Sequence, residues 1–210
     1  MIQCVKDIFQ DKETIIKVQS KLPYLFQLAE LESQRAGKIG MEVGVLRERI
    51  LVSLLIYKFG ENNVNTEIPI TEHEIDAFLF NKPISIKTKT GTSYSGVKLI
   101  WTVDREKVLK FRSNYQPSCD MLFTQIVWDN KGALYYIPKE TQIQVLKVLG
   151  SDNYIKLPPQ GTNPRGVEIT STALESLVKH ERTLRIEIDW IKSHIDFNPY
   201  EKWVAHWKQN

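Results

Sequence analysis

The stretch from Met41 to Thr90 restricts the fold more than any other part of the chain, because a helical hydrophobic period gives way within it to a strand period. Met41 to Phe59 reads as a helix, apolar on most faces from Val43 onward, and Gly60 stands where a C-terminal capping glycine belongs. Such a helix is expected to be largely buried. Past the polar stretch from Glu61 to Asn65 come two β-type runs, Glu74 to Phe80 and Ile84 to Thr90, joined as a hairpin by Asn81-Lys82-Pro83.

The flanking sequence adds layers to this unit. Ile15, Val18 and Leu22, then Leu25, Leu28 and Leu31, recur at helical spacing and predict two short helices divided near Pro23. Lys98 to Val103 is expected to extend the sheet, and Arg105 to Phe111 to be helical. Met121 to Trp128 is the richest strand, and Asp129-Asn130-Lys131-Gly132 turns it into a partner, Ala133 to Ile137. Glu140 to Leu149 is an amphipathic helix, and Pro158 to Gly166 a loop of turn-formers. From Ser171 to about Ile195 the chain reads as helix, and Trp203 and Trp207 share one face of a last short helix. The expected fold is α/β (α+β), a central mixed β-sheet flanked by helices, in a single domain over 1–210. Within it, 1–40 is a helical N-terminal extension, 41–150 the core, and 151–210 a loop with C-terminal helices.

Composition excludes several classes of function. The longest apolar run, Ile50 to Tyr57, is far short of the roughly 20 residues that span a bilayer, and no signal-peptide pattern opens the chain, so a soluble, cytoplasmic protein is expected. Cys4 and Cys119 have no partner at metal-ligand spacing and read as structural thiols. His73, His180, His194 and His206 are dispersed, with no order suited to acyl transfer, and no glycine-rich phosphate loop suggests a nucleotide cofactor. A net charge of +3 is too mild to decide for or against nucleic acid. Its distribution is more informative, since Lys82, Lys87, Lys89 and Lys98 cluster around the hairpin.

The hairpin also carries a chemical pattern. Phosphodiester hydrolysis uses a hard divalent cation on carboxylates, with a lysine to offset negative charge as it builds. Asp76 opens the first hairpin strand and Lys87 lies on the second, where Ser85, Lys87 and Lys89 share a face, so the hairpin can set Asp76 beside Lys87. Surface ion pairs explain most such groups taken singly. Order favours chemistry: a helix with Glu48, a strand with Asp76 and a strand with Lys87 follow within about 40 residues.

These residues resemble the PD-(D/E)xK nuclease superfamily, with one departure: Ser85 stands in Ser85-Ile86-Lys87 where an acid belongs. Members of that superfamily move the acid to a neighbouring helix, and Gly44-Val45-Leu46-Arg47-Glu48-Arg49-Ile50 resembles the first helix of many of them. The resemblance makes Glu48 the replacement metal ligand. A glutamate in an apolar helix is also costly to bury without compensation. Glu42 is the alternate ligand, although the helix dipole alone favours an acid there. Glu72 and Glu74 are weaker candidates.

Over about residues 40–180 the chain further resembles type II restriction endonucleases similar to ThaI, in Leu122-Phe123-Thr124-Gln125-Ile126-Val127-Trp128, Tyr135-Tyr136-Ile137-Pro138-Lys139-Glu140 and Asn163-Pro164-Arg165-Gly166-Val167-Glu168-Ile169. That resemblance implies a restriction-endonuclease-like core, Mg²⁺ as cofactor, and a homodimer that cuts double-stranded DNA at a short palindrome, with CGCG and a blunt cut as the family-level expectation. Arg165, assisted by Asn163 and Gln160, is the candidate base reader, unless it is an ordinary surface arginine. Thr88, Lys89, Thr90, Thr92, Ser93 and Tyr94 suit phosphate contacts, as do Arg35 and Lys38. Met41 fits either a wedge between bases or packing at the helix end. A structure-specific repair nuclease or junction resolvase, and a non-catalytic DNA-binding protein that lost an acid at Ser85, are the alternative readings.

Overall fold

In the computed structural model, which describes residues 5–69, 72, 74–102, 104–159 and 166–209, β7 (Asp120–Ile126) is buried along its whole length. It is a central strand of a six-stranded mixed sheet ordered β11-β8-β7-β5-β4-β3. β5 (Lys82–Thr90) pairs with β7 in parallel, with Ser85 opposite Met121 and Lys87 opposite Phe123. β8 (Lys131–Ile137), β4 (Ala77–Leu79) and β3 (Val64–Asn65) join antiparallel. The period of two sends Ile84, Ile86, Leu122, Ile126, Leu134 and Tyr136 into one core, and Met121, Phe123, Ala133, Tyr135 and Ile137 into the other.

The first core is closed by α1 (Lys6–Gln10), α2 (Lys12–Ser33) and α3 (Val43–Phe59), through Ile8, Val18, Leu22, Phe26, Leu51, Val52 and Leu55. The second is closed by α4 (Arg105–Asn114), α5 (Lys139–Leu149), α6 (Ser151–Tyr154) and α7 (Ser171–Val178). A small antiparallel sheet also covers it, ordered β6-β10-β9 from β6 (Lys98–Ile100), β9 (Ile155–Lys156) and β10 (Val167–Ile169). A two-stranded hairpin of β1 (Gln34–Arg35) and β2 (Lys38–Ile39) links α2 to α3.

Four expectations are corrected. Pro23 does not divide the N-terminal helices: they part at Asp11, whose carboxylate caps α2 by accepting from the Thr14 backbone, and Pro23 sits buried inside an unbroken helix. The proline forgoes a helix hydrogen bond, yet it sits buried within the helix and does not break it. α3 is buried on one face only, by Arg47, Leu51, Val52 and Leu55, while Val45 and Tyr57 remain exposed. β6 belongs to the small sheet rather than extending the large one. The expected C-terminal helix ends at Val178 and becomes β11 (Leu184–Asp189), whose Ile186 and Ile188 alternate into the first core beside β8. After Trp190, itself buried, α8 (Glu201–Trp207) leaves Trp203 and Trp207 exposed.

One buried charge pair ties these layers together. Arg47 on α3 donates to Glu30 on α2, and the two side chains are only 5% and 7% exposed. The same Glu30 oxygen accepts from Trp128 Nε1 at 2.8 Å, and Arg47 Nη1 donates to Thr90 Oγ1 at the end of β5 at 3.0 Å. Arg47→Met is expected to lower unfolding stability by about 3–5 kcal/mol, because Glu30 would stay buried with only the half-exposed Lys192 ammonium, 3.9 Å from its other oxygen, as counter-charge. Urea titration checks this, and recovery of most of the loss in Arg47→Met with Glu30→Gln assigns it to the orphaned charge.

Candidate active site

The turn between β4 and β5 places the hairpin's polar groups. Phe80 and Asn81 both adopt left-handed backbone angles, φ 49° and 60°, which suit a tight two-residue turn, and Ala77 then faces Ile84 across the pair. Asp76 lies one residue before β4 and stays in register, its amide donating to the Ile84 carbonyl at 2.9 Å. Its carboxylate turns toward β5. There Oδ2 accepts from Lys87 Nζ at 3.0 Å, from Ser85 Oγ at 3.3 Å and from the Ile86 amide. No bond among the described residues ends on Oδ1.

Ser85 thus has a definite place. It is buried and orients Asp76, and its hydroxyl offers no carboxylate to a cation. The second acid comes from α3. Glu48 lines, with Asp76, Ile86, Lys87 and Thr88, a cleft of about 450 Å³ closed on its far side by Gly96–Leu99 of the small sheet's edge. Its carboxyl is pushed up, first by burial and then by the charge of Asp76, while Lys87 and Arg49 pull the other way. The Glu48 carboxyl, whose ionisation the Asp76 charge opposes, and an Asp76 oxygen no described donor occupies form a donor set suited to a hard divalent cation. Among the described residues no group of three or more His, Cys, Asp or Glu side chains gathers at one point, so water and substrate oxygens would complete the coordination.

The other expected residues divide by position. Glu42 precedes α3, pairs with Arg35 at 3.6 Å, and is not among the residues lining the cleft. Glu74 lies outside the cleft lining too, accepting from Tyr115 at 2.9 Å and Ser118 at 3.0 Å; burial pushes its carboxyl up and these bonds oppose the push. Met41, 89% exposed, stands at the cleft mouth and does not pack at the helix end. Thr88 lines the cleft, and Lys89 lies beside Gly96. Thr90's hydroxyl is engaged by Arg47, and Tyr94 packs on the second core. Arg35 and Lys38 are exposed on the β1–β2 hairpin. Gln160, Asn163 and Arg165 lie outside the described residues, as does Cys4. Burial pushes the Cys119 thiol up to about 12, which makes it inert as a nucleophile.

Two parts of this site escaped the sequence. One is the Glu30–Arg47–Trp128 bond network behind Glu48, signalled only by a charged pair, Arg47-Glu48, inside an apolar helix. The other is the wall from Gly96 to Trp101, which lacks any motif.

A mixed sheet with helices on both faces, presenting Asp, Lys and a helix-borne Glu into one cleft, is the architecture of a restriction endonuclease. A solved structure described as a restriction endonuclease in complex with substrate DNA matches it with a TM-score of 0.92 and 55% sequence identity, over 97% of this chain and 98% of that one. The family described as restriction endonuclease ThaI matches residues 8–209. No curated protein matches. The chain belongs to the ThaI family of restriction endonucleases and is a type II site-specific nuclease.

Asp76→Ala and Lys87→Ala are each expected to lower single-turnover cleavage by roughly 10²- to 10³-fold or more while DNA binding in a gel-shift assay persists. Loss of folding instead, seen by circular dichroism, would make these two groups structural.

Proposed function

We propose that Asp76 and Glu48 hold a magnesium ion and that Lys87 assists hydrolysis of double-stranded DNA at a short palindrome, with CGCG cut to blunt ends as the expected site. The observation that carries this is the 3.0 Å contact of Lys87 with Asp76 inside the cleft that Glu48 also lines. When bound, the cation supplies Lewis-acid stabilisation of the charge that builds on the phosphate oxygens.

The chain's own groups do the rest. Ser85 and the Ile86 amide fix the Asp76 carboxylate, so one oxygen is committed to the protein and the other is left for a ligand. Lys87, only 16% exposed, keeps its ammonium at the cleft wall, where it can orient a water for in-line attack or neutralise a phosphate oxygen. Thr88 on the cleft wall and Lys89 next along β5 suit the flanking phosphates; Arg35 and Lys38 are proposed backbone contacts on the neighbouring hairpin. Met41, bare at the mouth, is the proposed apolar wedge. The 210 residues are taken to act as one nuclease domain in a homodimer, since a two-fold protein reads a palindrome by symmetry. The structural neighbour's substrate DNA supports the choice of ligand. A cytoplasmic location, beside the DNA of a restriction–modification system, belongs to the same proposal; no helix among the described residues is long and apolar enough to cross a membrane.

Plasmid digestion tests the reading. Discrete fragments with Mg²⁺ and none with EDTA are expected; a smear or cleavage only at junctions would point to a repair nuclease, and no cleavage to a DNA-binding protein without catalysis.

Glu48 also gives the metal step a pH signature. Its raised pKa means that the folded protein holds this proton more tightly than the unfolded chain does, a stabilisation that fades as pH rises through the raised value. Cation binding needs the ionised form, so the thermal stabilisation that Mg²⁺ confers should be smaller at acid than at neutral pH. Calorimetry at both pH values checks this, and Glu48→Gln should remove most of the gain.

A further inference from the structure

A second groove adjoins the catalytic cleft, and Trp101 lines both. This groove, about 440 Å³, is formed by Ile100 and Trp101 at the end of β6 and by Lys107, Lys110, Phe111 and Asn114 of α4. Those four α4 residues stand at i, i+3, i+4 and i+7, one face of the helix. Val108 turns into the second core at 2% exposure and fixes which face that is.

The groove is built rather than incidental. Leu99 and Ile100 are buried and anchor β6, so Trp101 projects from a fixed base at 66% exposure. One face of its ring is covered by Lys98, whose ammonium sits 4.7 Å from the ring centroid and is itself tied to Glu168 at 3.0 Å. Phe111, tilted against Tyr115 with ring centroids 5.0 Å apart, supplies a second ring. Among the described residues the ammonium groups of Lys107 and Lys110 have no ion pair or hydrogen bond. The nearby acids do not cancel them: Asp104 caps α4 by accepting from the Glu106 and Lys107 amides, and Glu106 is outside the groove lining. Arg112, on another face, pairs with Asp152.

Unpaired cations at helical spacing, an exposed tryptophan and a carboxamide suit a polyanion with flat, partly apolar units along it. Continuity through Trp101 with the catalytic cleft makes that polyanion the substrate itself. We propose that this groove takes the sugar–phosphate backbone of the DNA flanking the cut site, with Lys107 and Lys110 on two phosphates and Trp101 packed against the strand as it leaves the cleft. The proposal rests on the reading of DNA as substrate and extends it to a stretch of duplex outside the recognised palindrome.

The test compares two duplexes centred on CGCG, one of roughly 30 base pairs and one of roughly 8, with wild-type protein and with Lys107→Ala/Lys110→Ala, binding being measured without divalent cation over a series of salt concentrations. With the long duplex, the slope of log affinity against log salt should fall in magnitude by about 3.6, two phosphate contacts from each protomer of the homodimer at roughly 0.9 each. With the short one it should change little, and Lys107→Arg/Lys110→Arg should restore the wild-type slope. An unchanged slope on the long duplex, or an equal change on both, overturns the groove assignment while leaving the nuclease reading intact. If wild-type protein neither binds nor cuts either duplex, the CGCG reading fails and this proposal fails with it.

Discussion

The pair of Arg47 and Glu30 is the constraint on which the rest of the molecule depends. Taking both charges out of water is costly, and the cost is offset only while every partner is in place: Trp128 on Glu30, Thr90 on Arg47, and Phe26 beneath the guanidinium. Those partners come from α2, the end of β5 and the segment after β7. A shift of α3 along the sheet would break several bonds at once, so its position is discrete rather than graded. Glu48 is the next residue along, and inherits that placement.

The sheet divides labour between its faces. Toward α1–α3 it packs an apolar core from Ile84 to Ile188, with Asp120 and Thr124 of β7 buried on the same face. On the other, β5 carries Ser85 and Lys87, whose polar groups meet the Asp76 carboxylate. Ser85, Lys87 and the Ile86 amide converge on one oxygen of Asp76, so that carboxylate is positioned by three donors from three consecutive residues. The acid on α3 is positioned by tertiary packing alone. The two halves of the site therefore differ in what holds them, local hydrogen bonding for one and a distant ion pair for the other.

Much of this was legible in the sequence because it is written in local periods. The helix from Val43, the hairpin, and the strands around Asp129 all carry strong signals, and the Asp–Lys pair follows from hairpin register. Where partners lie far apart, the signal fades. β6 looks like any short strand, and its membership in a separate sheet depends on β10, some way along the chain. β11 was hidden because Leu184, Ile186, Ile188 and Trp190 follow a helix without a strong breaker, and only β8 makes strand the better choice. Arg47 illustrates the limit: beside Glu48 in the sequence it resembles a surface charge, and its burial becomes visible only once Glu30 and Trp128 are brought to it.

The serine at position 85 has a consequence in time as well as in space. Were the second acid on β5, the hairpin would carry both carboxylates as soon as its turn closed. With the acid on α3, the pair is assembled only when the helix docks, and that docking is sealed by a bond spanning 98 positions, from Glu30 to Trp128. A half-folded chain, hairpin made and long-range closure still pending, has one carboxylate to offer. On the proposed metal site, competence to cut thus belongs to the docked tertiary structure and not to the hairpin by itself.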